Sequence, residues 1–95
     1  MADSRPLLLF FSSSRSGPSR RMESLVAHVA RKERSRVRVV QVDVEERAEL
    51  AARLEVARTP TLVLVTGRRT VGRIEGRASA PAIEALLDRH LAPAV

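Results

Sequence analysis

Residues 10–22 read Phe10-Phe11-Ser12-Ser13-Ser14-Arg15-Ser16-Gly17-Pro18-Ser19-Arg20-Arg21-Met22, and the rest of the chain is arranged around them. An apolar run over residues 7–11 ends abruptly in serines, and Gly17-Pro18 then turns the chain into an amphipathic segment. This order predicts a buried strand that delivers a loop to the N-terminus of a helix. In α/β proteins such a loop is a common place for a functional site. We therefore take this loop as the candidate site.

The segment after the glycine-proline pair has the periodicity of a helix. Its apolar residues recur at i, i+3, i+4 and i+7, as one buried stripe requires: Met22, Leu25, Val26 and Val29. Pro18 is tolerated in the first turn of a helix, and Ser16 is the expected N-cap. The pattern predicts a helix that runs to about Lys32.

The next part of the chain predicts a strand and a second helix. Residues 37–44 are rich in valine, which favours a strand. Asp43 is expected to cap the helix that follows, over about residues 46–54, with Glu46 as its capping-box partner.

The last part predicts a hairpin and a third helix. Residues 61–65 form an apolar strand, a turn at 66–69 follows, and residues 70–75 form a shorter and more polar strand. Gly76 ends that strand, and a helix opens at Ser79 and Pro81 and runs to Leu91. The order β-α-β-α-β-β-α predicts an α/β protein with a four-stranded mixed sheet flanked by three helices.

Composition narrows the possible functions. The 95 residues predict a single domain over 1–95, with residues 1–5 and 92–95 frayed. The chain has no cysteine, which excludes disulfides, thiolate zinc sites and cysteine nucleophiles, and two histidines far apart predict no metal site; no cofactor is expected. The apolar run over 7–11 is too short to span a membrane, so we expect a cytoplasmic protein.

The net charge of +6 is placed unevenly. Nine basic and three acidic side chains lie in residues 1–40, so the whole excess surrounds the candidate loop. The simplest explanation of this basic excess is a helix face exposed to solvent, and the more specific alternative is a surface that binds an anionic partner. Two phenylalanines are the only aromatic residues, which makes nucleic-acid binding through base stacking an unfavoured interpretation.

Three features together resemble the thioredoxin family. The family's active-site motif is Trp-Cys-Gly-Pro-Cys, and the same slots here hold Arg15-Ser16-Gly17-Pro18-Ser19. Thr59-Pro60 at the head of the third strand is similar to the family's cis-proline segment, and residues 71–91, with Gly76 before the last helix, are similar to its terminal block. The resemblance covers about residues 6–91. It implies a thioredoxin-like fold without the family's first strand and helix.

The chain shares with the family the Gly17-Pro18 turn before a helix, but it lacks the two cysteines that carry out the family's chemistry. Dithiol exchange needs a thiolate at the helix N-terminus and a second thiol that releases it. Ser16 and Ser19 occupy both slots, and a helix N-terminus stabilises an anion by only about 1 kcal/mol, far too little to ionise a serine. Thiol–disulfide exchange by this chain as written is therefore excluded.

The origin of the two serines stays open between natural loss of cysteine and an engineered double replacement. By the resemblance, Phe10 and Val39 stand where the family commonly has a buried Asp and a Lys, and Arg15 stands where it has Trp. Engineering of the cysteines alone leaves such residues in place, so these departures favour natural loss.

Three functions remain as predictions. The first is a binding module without redox activity, in which an extended client peptide pairs with the backbone of Thr59. Its groove comprises Arg15, Ser16, Gly17, Pro18, Ser19, Thr59, Pro60 and Gly76. The second is a disulfide oxidoreductase of cell redox homeostasis, present here as a Cys-to-Ser form at Ser16 and Ser19. The third is a transferase in which Ser16 or Ser14 stabilises the thiolate of a small bound thiol.

The expected partner is a protein or extended peptide. An acidic segment is favoured by four basic side chains near the loop and the third strand: Arg15, Arg20, Arg21 and Arg58. No membrane association is expected, and the protein is expected to be a monomer or a weak dimer. His28 falls one position away from the apolar stripe of its helix, so we expect a partly exposed side chain and no ligand role.

Overall fold

A four-stranded sheet lies at the centre of the computed structural model, which describes residues 5–93. Its strands are β1 (Leu7–Ser12), β2 (Arg38–Asp43), β3 (Thr61–Thr66) and β4 (Arg69–Glu75), and the helices are α1 (Gly17–Lys32), α2 (Ala48–Arg53) and α3 (Ala80–His90). The strand order is β2-β1-β3-β4. β1 runs parallel to β2 and antiparallel to β3, and β3 runs antiparallel to β4. The predicted α/β order and mixed sheet are confirmed.

The two central strands, β1 and β3, are apolar apart from Ser12, Thr61 and Thr66 at their ends, because both faces of the sheet are covered. Leu8 and Phe10 point to the side of α1 and α3, where Ile83 and Leu87 pack against them. Successive side chains of a strand alternate between faces, so Phe11 belongs to the other core, where it is grouped with Ala51 of α2. Because both of its faces are buried, β1 lies in the interior of the sheet. Its carboxyl end leads into the loop before α1.

Polar contacts fasten the end of α1 to α3. Lys32 pairs with Glu84 at 2.8 Å, and Arg36 donates to Glu33 and Asp88, each at 2.7 Å. The hydrogen bond to Glu33, followed by the one to Asp88, raises the pKa of the Arg36 guanidinium above its ordinary value. These contacts hold the C-terminal end of α1, while its N-terminal end faces the candidate site.

The predicted cap of the second helix is wrong. α2 begins at Ala48, its N-cap is Arg47, and no side chain caps it. The carboxylate of Asp43 instead accepts the backbone N–H of Glu45 at 2.8 Å. The Asp43 carboxylate thus stabilises the turn that follows β2, through a local hydrogen bond that aspartate forms readily. Because this turn comes first, the helix begins at Ala48 and not at about residue 46.

Two further expectations concern the ends of the chain and the membrane. Residues 1–5 and 92–95 are predicted to be frayed. Of these, residues 1–4, 94 and 95 lie outside the described residues. In the range 5–93, no helix is both long and apolar enough to cross a bilayer.

Candidate functional site

The candidate loop is organised by Ser13. Its carbonyl oxygen accepts the N–H of Ser16 at 3.0 Å, and its hydroxyl oxygen accepts the N–H of Arg15 at 3.2 Å. Serine side chains favour such local turns because the hydroxyl can bond to backbone two residues away. The result is a tight turn between the end of β1 and the first residue of α1.

Side chains from four segments hold this turn in place. The Ser13 hydroxyl donates to Glu45 Oε1 at 2.8 Å. Gln41 Nε2 donates to Ser12 Oγ at 3.0 Å and to Glu23 Oε2 at 2.9 Å, which joins β2, β1 and α1. The sequence patterns did not predict this network. The signal for it was present, because the carboxyl ends of the parallel strands β1 and β2 share one edge of the sheet and both end in polar residues.

Ser16 is the N-cap of α1, as predicted. Its hydroxyl oxygen accepts the N–H of Ser19 at 3.1 Å, and the extended backbone at Ser16 (φ −100°, ψ 111°) is typical of a cap. The side chain is half-buried. It therefore lies where the partial positive charge of the helix N-terminus is concentrated.

Ser19 differs sharply from Ser16. It is only 1% exposed, and within the described part of the chain its hydroxyl has no hydrogen-bond partner. A buried hydroxyl without a partner is rare and destabilises a protein by about 1–3 kcal/mol. A thiol, which is a weak donor and behaves as a small apolar group, suits such a position better. The environment of residue 19 thus fits sulfur better than oxygen.

The layer beneath the two serines is apolar. Phe10 is 1% exposed and belongs to the core under α1, and Val39 packs against the same core. These are the positions that the resemblance gives to a carboxylate and an amine. Neither side chain can take or release a proton.

The second segment of the site lies at the head of β3. The Thr59–Pro60 peptide bond is cis. The carbonyl oxygen of Pro60 accepts the N–H of Gly76 at 2.8 Å, and the Thr61 hydroxyl donates to the carbonyl of Arg58 at 2.8 Å. Gly76 has φ of +84°, a left-handed conformation that glycine adopts without strain. The hydrogen bond between them fixes Pro60 and Gly76 to one another, and we call these two residues the ledge.

Thr59 has an unused backbone. The residue is half-buried, and across residues 5–93 neither its N–H nor its C=O takes part in a hydrogen bond. The carbonyl oxygens of its two chain neighbours, Arg58 and Pro60, each accept a hydrogen bond. A free donor and a free acceptor on one residue beside a fixed ledge can pair with an extended chain.

The structure brings some of the predicted residues together and separates others. Thr59 and Arg58 share a cavity of about 180 Å³ with Ser13 and Glu45, so the loop and the head of β3 meet there. Arg20 lines a different cavity of about 570 Å³, formed with residues of the loop, α1 and the end of β2. Arg21 extends along α1 toward Gly17, with Nη1 3.6 Å from where a Cβ of Gly17 would lie. His28 is exposed, as predicted.

This arrangement of a strand-to-helix loop facing a cis-proline segment defines the class of thioredoxin-like α/β domains. The family model described as Thioredoxin matches residues 1–89, and the chain belongs to the thioredoxin family.

Individual relatives agree with this assignment. The chain is 35% identical over 75 residues to Thioredoxin-1 of Drosophila melanogaster, a match that covers 79% of this chain and 70% of the relative. The crystal structure of the germline-specific thioredoxin Deadhead from the same organism superposes with a TM-score of 0.85 at 30% identity, over 93% of this chain and 83% of that chain. Mitochondrial thioredoxin 3 of Saccharomyces cerevisiae gives 0.81 at 28% identity, over 90% and 79% of the two chains.

Proposed function

We propose that this thioredoxin-family protein is a binding module that holds an extended segment of a client protein without exchanging disulfides. The unused N–H and C=O of Thr59 support this proposal most directly. An extended peptide that lies beside Thr59 can satisfy both groups, in the manner of a strand added to a sheet edge. Backbone pairing of this kind requires no sulfur.

The chemistry of the loop supports the same proposal. Both cysteine positions of the family motif carry hydroxyls, Ser16 and Ser19, and the chain has no cysteine elsewhere. A hydroxyl cannot form the mixed disulfide through which exchange proceeds. The loop is nevertheless held rigidly by the bonds of Ser13 and Gln41. A rigid loop beside Thr59 suits a binding surface, because less conformational freedom is lost on binding.

Nuclear magnetic resonance tests the proposed groove. Isotope-labelled protein is titrated with a short, capped peptide of Val, Thr and Ser, which favours extended structure. We expect the amide signals of Thr59, Gly76 and Ser16 to shift. The matched control is the same peptide with N-methyl groups on alternate residues, which removes the donors needed for strand pairing and should abolish the shifts. Shifts of equal size with both peptides, or none with either, would refute the proposal.

A second candidate, a disulfide oxidoreductase in which serines replace both cysteines, is favoured by one observation. Ser19 is buried without a hydrogen-bond partner, as expected where a thiol has been replaced. The double variant Ser16→Cys, Ser19→Cys tests this candidate in an insulin-reduction assay with dithiothreitol, with Ser16→Cys alone as the control. Insulin reduction faster than that of the control supports an oxidoreductase. Equal rates support a site that has lost its redox machinery.

The remaining expectations stay predictions. The Ser16 oxygen accepts the N–H of Ser19, and its own O–H can still donate to the thiolate of a small thiol, so calorimetric titration with glutathione tests the transferase. A cytoplasmic location and a monomeric or weakly dimeric state complete the proposal, and cell fractionation and analytical ultracentrifugation test them.

A further inference from the structure

The arginines of this protein fall into two kinds. Some are committed to the fold: Arg73 donates to the carbonyls of Leu54 and Glu55 at 2.6 and 3.2 Å, and Arg36 is held by two carboxylates. Arg58 is different. Its side chain is exposed, and among the residues with described structure its guanidinium has neither a hydrogen bond nor a carboxylate within ion-pair distance. The positive charge of Arg58 therefore takes part in no hydrogen bond or ion pair that stabilises the described part of the fold.

The position of Arg58 connects it to the proposed groove. It directly precedes Thr59, and its Nη1 lies 3.9 Å from where a Cβ of Gly76 would be. The guanidinium thus lies beside the ledge that Gly76 forms with Pro60. Glu45 lines the same small cavity, but its Oε1 accepts the Ser13 hydroxyl and it forms no ion pair with Arg58. A free guanidinium therefore stands next to the free backbone of Thr59.

We infer that the client segment is acidic and that one of its carboxylate side chains pairs with Arg58 while its backbone pairs with Thr59; this inference rests on the proposed function. The planar guanidinium donates two parallel hydrogen bonds to a carboxylate, which adds direction as well as attraction. Arg20 and Arg21 are not part of this recognition, because they lie along α1 and line other surfaces.

Paired peptides test the inference. Two short, capped peptides of Val, Thr and Ser differ only at one central position, which is Glu in one and Gln in the other. Because the pair is exposed to solvent, we expect the Glu peptide to bind about 2- to 5-fold more tightly in fluorescence anisotropy at low salt. The preference should shrink as salt is added, since exposed charge pairs are screened.

Two variants with the same change of net charge separate a local contact from general attraction. Arg58→Gln should remove the preference for Glu while the Gln peptide still binds. Arg68→Gln is the control, because Arg68 is exposed in the β3–β4 turn, at the opposite end of β3 from Thr59, and it should leave the preference intact. An undiminished preference in Arg58→Gln, or equal losses in both variants, overturns the inference but not the groove. Failure of both peptides to bind the unmodified protein overturns the groove itself.

Discussion

Two helices of this protein begin in the same way and do different things. α1 opens with Ser16-Gly17-Pro18-Ser19 and α3 opens with Ser79-Ala80-Pro81-Ala82. In each, the serine oxygen accepts the N–H of the third residue after it, at 3.1 Å in α1 and 3.3 Å in α3. The serine cap and the proline in the first turn are therefore general devices for starting a helix, and they do not by themselves mark a functional site.

The difference lies in the third residue of each helix and in its neighbours. Ser19 is buried and its hydroxyl lacks a partner, whereas Ala82 is exposed. α1 also follows the central strand β1, whose loop meets the segment that carries Thr59. A helix N-terminus becomes a candidate site here because of what the sheet places beside it.

The largest expected effect comes from enlarging the third residue of each helix. Ser19→Leu should destabilise the protein by about 1–3 kcal/mol, because extra methylenes must enter a packed region. Ala82→Leu is the matched change at an exposed position and should stay within about 0.5 kcal/mol. Urea unfolding monitored by circular dichroism measures both. Similar midpoints for the two variants would mean that residue 19 has room that the structure does not show.

A smaller change at the same position tests the unpartnered hydroxyl. Ser19→Ala should stabilise the protein by about 1 kcal/mol, since it removes a buried polar group that forms no hydrogen bond. The reverse exchange in α3, Ala82→Ser, should lower stability by no more than about 0.5 kcal/mol, because the new hydroxyl reaches water. The same unfolding measurement applies. A loss of stability in Ser19→Ala would show that the hydroxyl has a partner in solution.

The two caps should be nearly equal in strength. Ser16→Ala and Ser79→Ala each remove one hydrogen bond to a first-turn N–H, so each should destabilise the protein by about 1 kcal/mol. Thermal unfolding of the two variants side by side is the measurement. A much larger loss at Ser16 would contradict the view that its cap is an ordinary one, and would indicate a further role for its hydroxyl in holding the loop.

Most of the fold could be predicted because its signals are local. The apolar runs of β1 and β3 and the apolar stripes of α1 and α3 each lie within one segment of the chain. Asp43 shows where local reasoning failed. Its carboxylate can serve a helix cap or a turn, and the sequence pattern alone does not separate these two uses; in the structure it bonds to Glu45.

The site could be predicted only in part, for a similar reason. The loop around Ser16 and the segment at Thr59 carry recognisable motifs. The bonds that fix the loop join residues far apart in the sequence, such as Ser13 to Glu45 and Gln41 to Ser12. Such pairs depend on strand register, which is known only once Ser12 is placed opposite Asp43. The unpartnered state of Ser19 and of Arg58 is likewise a property of the packed chain.

The smallest expected effect concerns the first residue of each helix. Gly17 lacks the positive φ that glycine alone adopts easily, and the three atoms nearest to a Cβ there would belong to the Arg21 guanidinium, at 3.6–3.9 Å. Gly17→Ala should therefore stabilise the protein by about 0.5 kcal/mol, chiefly by restricting the unfolded chain, and Ala80→Gly should have the opposite effect at α3. Differential scanning calorimetry measures both.

The same variant distinguishes a structural glycine from a binding one. The methyl group of Gly17→Ala would contact Arg21, which extends along α1, and not the segment at Thr59. Peptide-induced shifts at Thr59 and Gly76 should then persist in this variant. Their loss, with stability unchanged or raised, would extend the client's path across the first turn of α1. That result would show that the groove extends from the Ser16 amide to Gly17, as the sequence-based set of groove residues predicts, and would give α1 a contact with the client that α3 lacks.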